Sequence, residues 1–167
     1  MNPHIAPVWQ ILDLNTRLYR NCMVGVDDAI AGLRPARGAG ITNSIGFIAL
    51  HLLDARHFIL GIAGTPAVHP WSAMLQSARG EDDVSEPAPV AHLLAAWEEA
   101  SVLLEASVAS LTDTDLRKPS PQPFPVRDTT VLGALAFLAQ HESYHVGQLA
   151  LLRRYAGLDA MKYSSPG

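Results

Sequence analysis

The chain of 167 residues is 49% hydrophobic and 17% charged, with 12 Gly and 12 Pro, which excludes collagenous, disordered and disulfide-framework proteins and leaves room for one substantial core. Twelve Lys and Arg against sixteen Asp and Glu give a net charge of −4 with histidine neutral, so no electrostatic footprint for a nucleic-acid partner exists. Cysteine occurs once, at Cys22, against seven histidines, so strong ligand chemistry here rests on imidazole and carboxylate rather than thiolate.

Residues 1–15 carry no cationic stretch followed by an apolar run and a small-residue cleavage site, and a cytoplasmic location is expected. The single cysteine fits a reducing compartment. The first helix is predicted to begin after Pro7 and run to about Leu33, with Val8, Leu12, Cys22, Val26 and Ile30 on one side and Gly32 and Pro35 as its stop. The second opens at a cap on Asn43 or Ser44 and runs to about Gly61. Ile45, Phe47, Ile48, Leu50, Leu52, Leu53 and Phe58 leave it only a narrow polar edge, so it is expected to be largely buried.

From Gly61 to Pro89, the breakers Gly64, Pro66, Pro70 and Gly80 and the acidic run Glu81, Asp82, Asp83 predict a long loop, a lid or a packed flap. The longest stretch free of Asp, Glu, Lys and Arg, His57 to Ala78, contains two of these prolines, which excludes a continuous membrane helix there, and no membrane partner is expected. The third helix spans about Val90 to Leu111, where Val90, Leu94, Trp97, Ser101, Leu104, Val108 and Leu111 step by four and three, the seam of a bundle helix. Pro119, Pro121, Pro123 and Pro125 make an extended connector. The fourth helix starts near Asp128 or Thr129 and runs to Gly157, a C′ glycine preceded by Arg153 and Arg154.

No segment alternates with period two, and the expected fold is all-α: a single four-helix bundle domain over residues 1–167, with long loops between helices 2 and 3 and between helices 3 and 4. The linkers after the first and third helices have room to cross the bundle, which leaves the threading order open.

The fourth helix carries a polar break in its seam. Steps of four and three from Ala134 give Leu138, His141, His145, Gln148, Leu152 and Tyr155. His141 and His145 lie about 40° apart around the axis and about 6 Å apart along it, so both imidazoles leave one face and can converge on one ion. His51 sits at the middle of the apolar second helix on the series Ser44, Phe47, His51, Ala55, Phe58, Ile62. Each unsatisfied buried polar group costs about 1–3 kcal/mol, and one divalent metal would satisfy all three imidazoles at once. Against this stands the reading of each histidine as a core residue bonded to a neighbouring carbonyl or carboxylate. His4, His69 and His92, in a tail, a loop and a solvent-facing position, are read in that plain way, and His57, about 120° around the helix from His51, as a surface or supporting residue.

His141-Glu142-Ser143-Tyr144-His145 also spells H-E-x-x-H, the zinc-protease pattern with Glu as general base. The extended form would need Gly at position 148 and His at position 151, where the chain has Gln148 and Leu151. Glu142-x-x-His145 matches half of a di-iron site, but no second Glu-x-x-His occurs. A mononuclear site is the better reading.

The segment His141-Glu-Ser-Tyr-His145-Val-Gly147-Gln148-Leu-Ala-Leu-Leu-Arg153-Arg154, with Ile48-Ala-Leu-His51-Leu-Leu-Asp-Ala-Arg upstream, resembles the DinB/YfiT-like metalloprotein family over roughly Pro7 to Tyr163. The resemblance implies a four-helix bundle that holds one divalent ion, nickel or zinc, through His51, His141 and His145, with water at the remaining positions, and homodimers. It implies thiol-dependent chemistry on a small-molecule substrate, S-transfer or isomerisation of a thiol adduct, so a metal-dependent S-transferase using a low-molecular-weight thiol is the first expectation, with a hydrolase at the open metal position as the second. The alternative is a non-catalytic metal or small-ligand binder of a stress response.

For Gln148 and Glu142, catalytic roles are weighed against structural ones: Gln148 would orient a ligand or a water, or hold the helix pair as a buried amide. Glu142, about 100° off His141, would take an imidazole proton or act as a base, or serve between helices or at the surface. Asp54, one turn beyond His51, is a supporting candidate, and Asn15 and Tyr19 would line the cavity or pack. Cys22 reads as a small core residue, so any thiol comes from a cosubstrate.

Overall fold

The computed structural model describes residues 1–37, 40–78, 80–84 and 87–164, with backbone alone at Arg37, Gly40 and Ile41. In chain order it contains α1 (Ala6–Met23), α2 (Asp28–Ala31), a minimal antiparallel hairpin of β1 (Ala36–Arg37) and β2 (Gly40–Ile41), α3 (Ile45–Ile62), α4 (Ser72–Ser77), a 3-10 turn (Glu81–Asp83), α5 (Val90–Ser110), α6 (Asp113–Leu116) and α7 (Val131–Tyr155). The all-α bundle expectation holds, with α1, α3, α5 and α7 as its long helices.

Local chemistry sets the ends of these helices. Ser44 takes up an extended conformation and accepts the Phe47 N–H, which starts α3 where the sequence places a cap. Gly157, at φ +83°, follows the last turn of α7 as expected of a C′ glycine. The first helix stops about ten residues before the predicted end, because Gly25 turns the chain at φ +75° and Asp27 caps the separate α2 by accepting from Ile30 N. The orphan carbonyls at the end of α1 are taken by buried Arg153, which donates from Nη1 to the carbonyls of Asn21, Cys22 and Val24. The predicted loop 61–89 is interrupted by α4 and the 3-10 turn; the parts of it at Arg79, Ser85 and Glu86 lie outside the described residues.

The helices form a ring in the order α1, α7, α3, α5, so that α1 faces α3 and α5 faces α7 across the diagonals. Residue pairs give the directions. Asn15 bonds the Ala139 carbonyl and Cys22 lies on that of Val146, seven residues on in both helices, so α1 and α7 run parallel. Arg56 meets Glu142 while His51 meets His145, so α3 runs against α7. Trp97 bonds the Thr16 carbonyl and Val90 N bonds Asp28, so α5 runs against α1. The adjacent pair α3 and α5 is therefore parallel. A parallel link must travel back along a helix of 18 residues, about 27 Å, which explains the length of the crossover between them. The open question of threading resolves this way: the linkers after α1 and after α5 cross the diagonals, and the crossover runs along the outside.

The interior holds Leu12, Leu52, Leu53, Ile59, Leu93, Leu135 and Leu149, with Tyr19 stacked on Trp97 at 4.0 Å between ring centroids. The helix α3 has the length and apolarity of a membrane span, at a mean hydropathy of 1.5, but its apolar surface is taken up by α5 and α7.

Candidate metal centre and its cavity

Three imidazoles meet between α3 and α7. His51 Nε2 lies 3.3 Å from His141 Nε2, and the His145 ring stands 4.5 Å from that of His51 and 4.4 Å from that of His141. One ring nitrogen from each lies within 4.8 Å of the others. Donors about 2.0–2.1 Å from a common tetrahedral or octahedral ion stand about 2.9–3.4 Å apart, so the His51–His141 separation already suits a shared ion. His145 Nδ1 donates to Gln148 Oε1 at 2.7 Å, and the Gln148 amide donates to Tyr144 Oη at 3.2 Å. This fixes the tautomer of His145 and leaves its Nε2 lone pair free to bind.

Burial sets the charge state. It pushes His51 down to about 4, and the neighbouring imidazoles push in the same direction. His141 is lowered by burial and by His145. His145 is lowered by burial although Gln148 favours its charged form. Near neutral pH all three are uncharged rings with lone pairs, the form that binds a cation. A cavity of about 470 Å3 opens beside them, lined by Asn43, Phe47, Ile48, His51, Asp54, Leu75, Ala78, Gly80, Tyr144, His145 and Gln148. Leu75, Ala78 and Gly80 belong to the α3–α5 crossover, which therefore roofs the cavity as a packed flap.

A family model described as DinB superfamily matches residues 11–149, a span that contains all three histidines. The chain belongs to the DinB superfamily. Two solved structures from Bacillus subtilis share its fold. The DinB-like protein YjoA is 16% identical with a TM-score of 0.61, over 99% of this chain and 100% of its own. YfiT, described as a probable metal-dependent hydrolase with an unusual four-helix bundle topology, is 19% identical with a TM-score of 0.62, over 91% of this chain and 89% of its own. No curated protein matches the chain.

The other sequence candidates of this DinB chain fall in different places. Gln148 is at the site, as the partner of His145. Glu142 is not: it is fully buried and paired with Arg56, with Nε to Oε1 at 2.9 Å and Nη2 to Oε2 at 2.7 Å, the interhelical position weighed for it. Asp54 reaches the cavity but bonds His69 rather than His51, at 3.0 Å. His69 is accordingly a buried histidine bonded to a carboxylate, the plain role expected of it. His57 bonds the Leu53 carbonyl and packs at a tilt against the His69 ring, with centroids 4.8 Å apart. Asn15 and Tyr19 pack: Asn15 joins Ala139 and Ser143, and Tyr19 lies on Trp97. Cys22 is a core residue whose thiol burial pushes up to about 12, far from a nucleophile's range.

Sequence reasoning missed Arg56 as the partner of Glu142. Its signal was a lone cation in a helix otherwise apolar enough to be buried, which needs a countercharge.

Proposed function

We propose that this DinB protein is a metal-dependent enzyme that binds one divalent ion, nickel or zinc, through His51, His141 and His145 and acts on a small molecule held in the adjoining cavity. The observation that carries this reading is the open triad: three uncharged imidazoles converge, two of them, His51 and His145, line a cavity large enough for a small molecule, and among the described residues no fourth His, Cys, Asp or Glu joins them. A closed structural site takes four protein ligands, whereas a reactive one keeps a position for water or substrate. When bound, such an ion supplies Lewis acidity, lowering the pKa of a water or thiol ligand toward neutrality.

The chain's own residues do the rest. Gln148 holds the His145 ring by its Nδ1–H, and Phe47 and Phe137 flank His51 and His141 with ring centroids at 6.5 and 6.2 Å, limiting the approach of water from those sides. Hydrolysis is the favoured reaction, supported by the description of YfiT. Transfer of a low-molecular-weight thiol is the second reading, favoured by the burial of Cys22, which leaves the sulfur to a cosubstrate. A homodimer would form over the exposed face of α7, where Tyr144, Leu151 and Tyr155 make an uncharged stripe.

Metal analysis of untagged protein tests the centre. One equivalent is expected in the wild type and well below one in His51→Ala and His141→Ala; metal content indifferent to both variants refutes it. Turnover of ester and amide panels with and without added thiol separates the two reactions, and a loaded protein inert to both is a binder rather than an enzyme.

A further inference from the structure

Asp54 stands between two cavities. It lines the one beside His51, His145 and Gln148, and it also lines a second one with His57. His69 reaches it from the α3–α5 crossover: the imidazole, 1% exposed at its side chain, donates Nε2–H to Asp54 Oδ1 at 3.0 Å. The second oxygen, Oδ2, has no partner among the described residues, and the carboxylate side chain is 44% exposed. No Lys or Arg among the described residues pairs with it. The negative charge acts on both sides, raising the pKa of His51 and of His57 against the effect of burial.

The cavity beside the triad is otherwise uncharged among its described lining residues. Among its described lining residues Asp54 carries the only carboxylate and no residue is a Lys or Arg; around it stand Phe47, Ile48, Leu75 and Tyr144, with the amides of Asn43 and Gln148. Asp54 lies three residues from His51, about 4.5 Å along α3, so a group held by Oδ2 would be a few bonds from one at the triad.

We propose that Asp54, positioned by His69, is the anchoring acceptor for a cationic group of the ligand, an ammonium or guanidinium on a small apolar body. The proposal rests on reading this cavity as the substrate cavity of the metal centre. A cation gains a charge-assisted hydrogen bond to Oδ2, while an uncharged ligand of the same shape gains a weaker one. The cavity therefore selects amine-bearing or guanidine-bearing small molecules.

Calorimetric titration of the full chain, loaded with metal, against butylguanidinium and its uncharged isostere butylurea at pH 7 tests this. A guanidinium keeps its proton at that pH and offers no lone pair to a metal, so its affinity reads the carboxylate and not the triad. The expected result is about tenfold tighter binding of butylguanidinium. Asp54→Asn should reduce that ratio to about one with metal content and Tm held, because the amide oxygen still accepts from His69 and the crossover stays pinned. Asp54→Ser takes its place if the first variant does not fold. Equal binding of the two probes, no binding of either, or a tenfold preference that survives loss of the carboxylate overturns the proposal. Failure of the metal-centre reading shows separately, as metal content that ignores the triad variants.

Discussion

The replacement Glu142→Leu separates two meanings of the sequence His141-Glu142-Ser143-Tyr144-His145. Glu142 and Arg56 are both fully buried, and the guanidinium also bonds Ser101 Oγ at 2.8 Å and lies 3.7 Å from the centroid of the Trp97 ring. Leucine keeps the volume close but removes both oxygens that accept from Nε and Nη2, leaving the cation in the core without its countercharge. Breaking a buried pair in this way costs about 3–5 kcal/mol, and at about 2–4 °C per kcal/mol for a chain of this size Tm should fall by about 10 °C.

Removing both charges, Arg56→Met with Glu142→Leu, should restore Tm to near or above the wild-type value, since an apolar replacement of a buried pair is often neutral or stabilising. Thermal melts of the three proteins, with metal content measured on each, form the assay. The reasoning fails if Glu142→Gln keeps the wild-type Tm and metal content yet abolishes turnover, for Glu142 would then be acting as the base of a protease-like site.

Two glycines of α7 should respond in opposite directions to alanine. A Cβ on Gly133 would lie 2.1 Å from the Asp128 carbonyl oxygen, a backbone atom with little freedom to move, so Gly133→Ala should destabilise by about 1–3 kcal/mol or more. A Cβ on Gly147 meets nothing within 4 Å, and Gly147→Ala should stabilise by about 0.5–1 kcal/mol through helix propensity. Urea midpoints that move the same way in both variants would refute this account.

Metal removal exposes the third effect. His51 is held at about 4, below its ordinary 6.5, so between these values the unfolded chain binds more protons than the folded one. The chelated protein should therefore lose stability as pH falls through that window, by up to about 1.4 kcal/mol per pH unit from His51 alone. A flat stability profile of the chelated wild type there, matching that of chelated His51→Phe, contradicts it.

Much of the fold is legible because the long helices carry their own instructions. Ser44, Pro89 and Gly157 mark ends that the structure keeps, and the seam of α5 buries Val90, Trp97, Ser101, Leu104 and Val108 as its spacing predicts. The error in helix one has a local cause: Val26 and Ile30 continue the apolar period past Met23, so periodicity runs on where Gly25 ends the helix. The short α6 was written as a capping box, Thr112 with Asp115, but one turn of helix carries no period to detect. The ring order was not legible, because every long helix is apolar on one face and pattern alone does not say which face meets which.

The site divides along the same physical line. Residues four apart on one helix share a face whatever the tertiary structure, so the convergence of His141 and His145 follows from the sequence, and a third histidine in a helix too apolar to be exposed has few places to go. Glu142 shows the limit of that logic. It follows His141 directly, and about 100° of rotation carries it from the side that meets His51 of α3 into the centre of the bundle, where Arg56, Thr16 and Ser101 are waiting. A general base beside the triad must come from the triad's own face or from a neighbouring element. Asp54 lines the cavity from α3, three residues beyond His51, although its sequence neighbourhood gives no sign of the histidine in the crossover that holds it. Among the described residues, the carboxylate that lines this cavity therefore comes from α3, while the one inside the H-E-x-x-H segment is spent on Arg56 in the middle of the bundle.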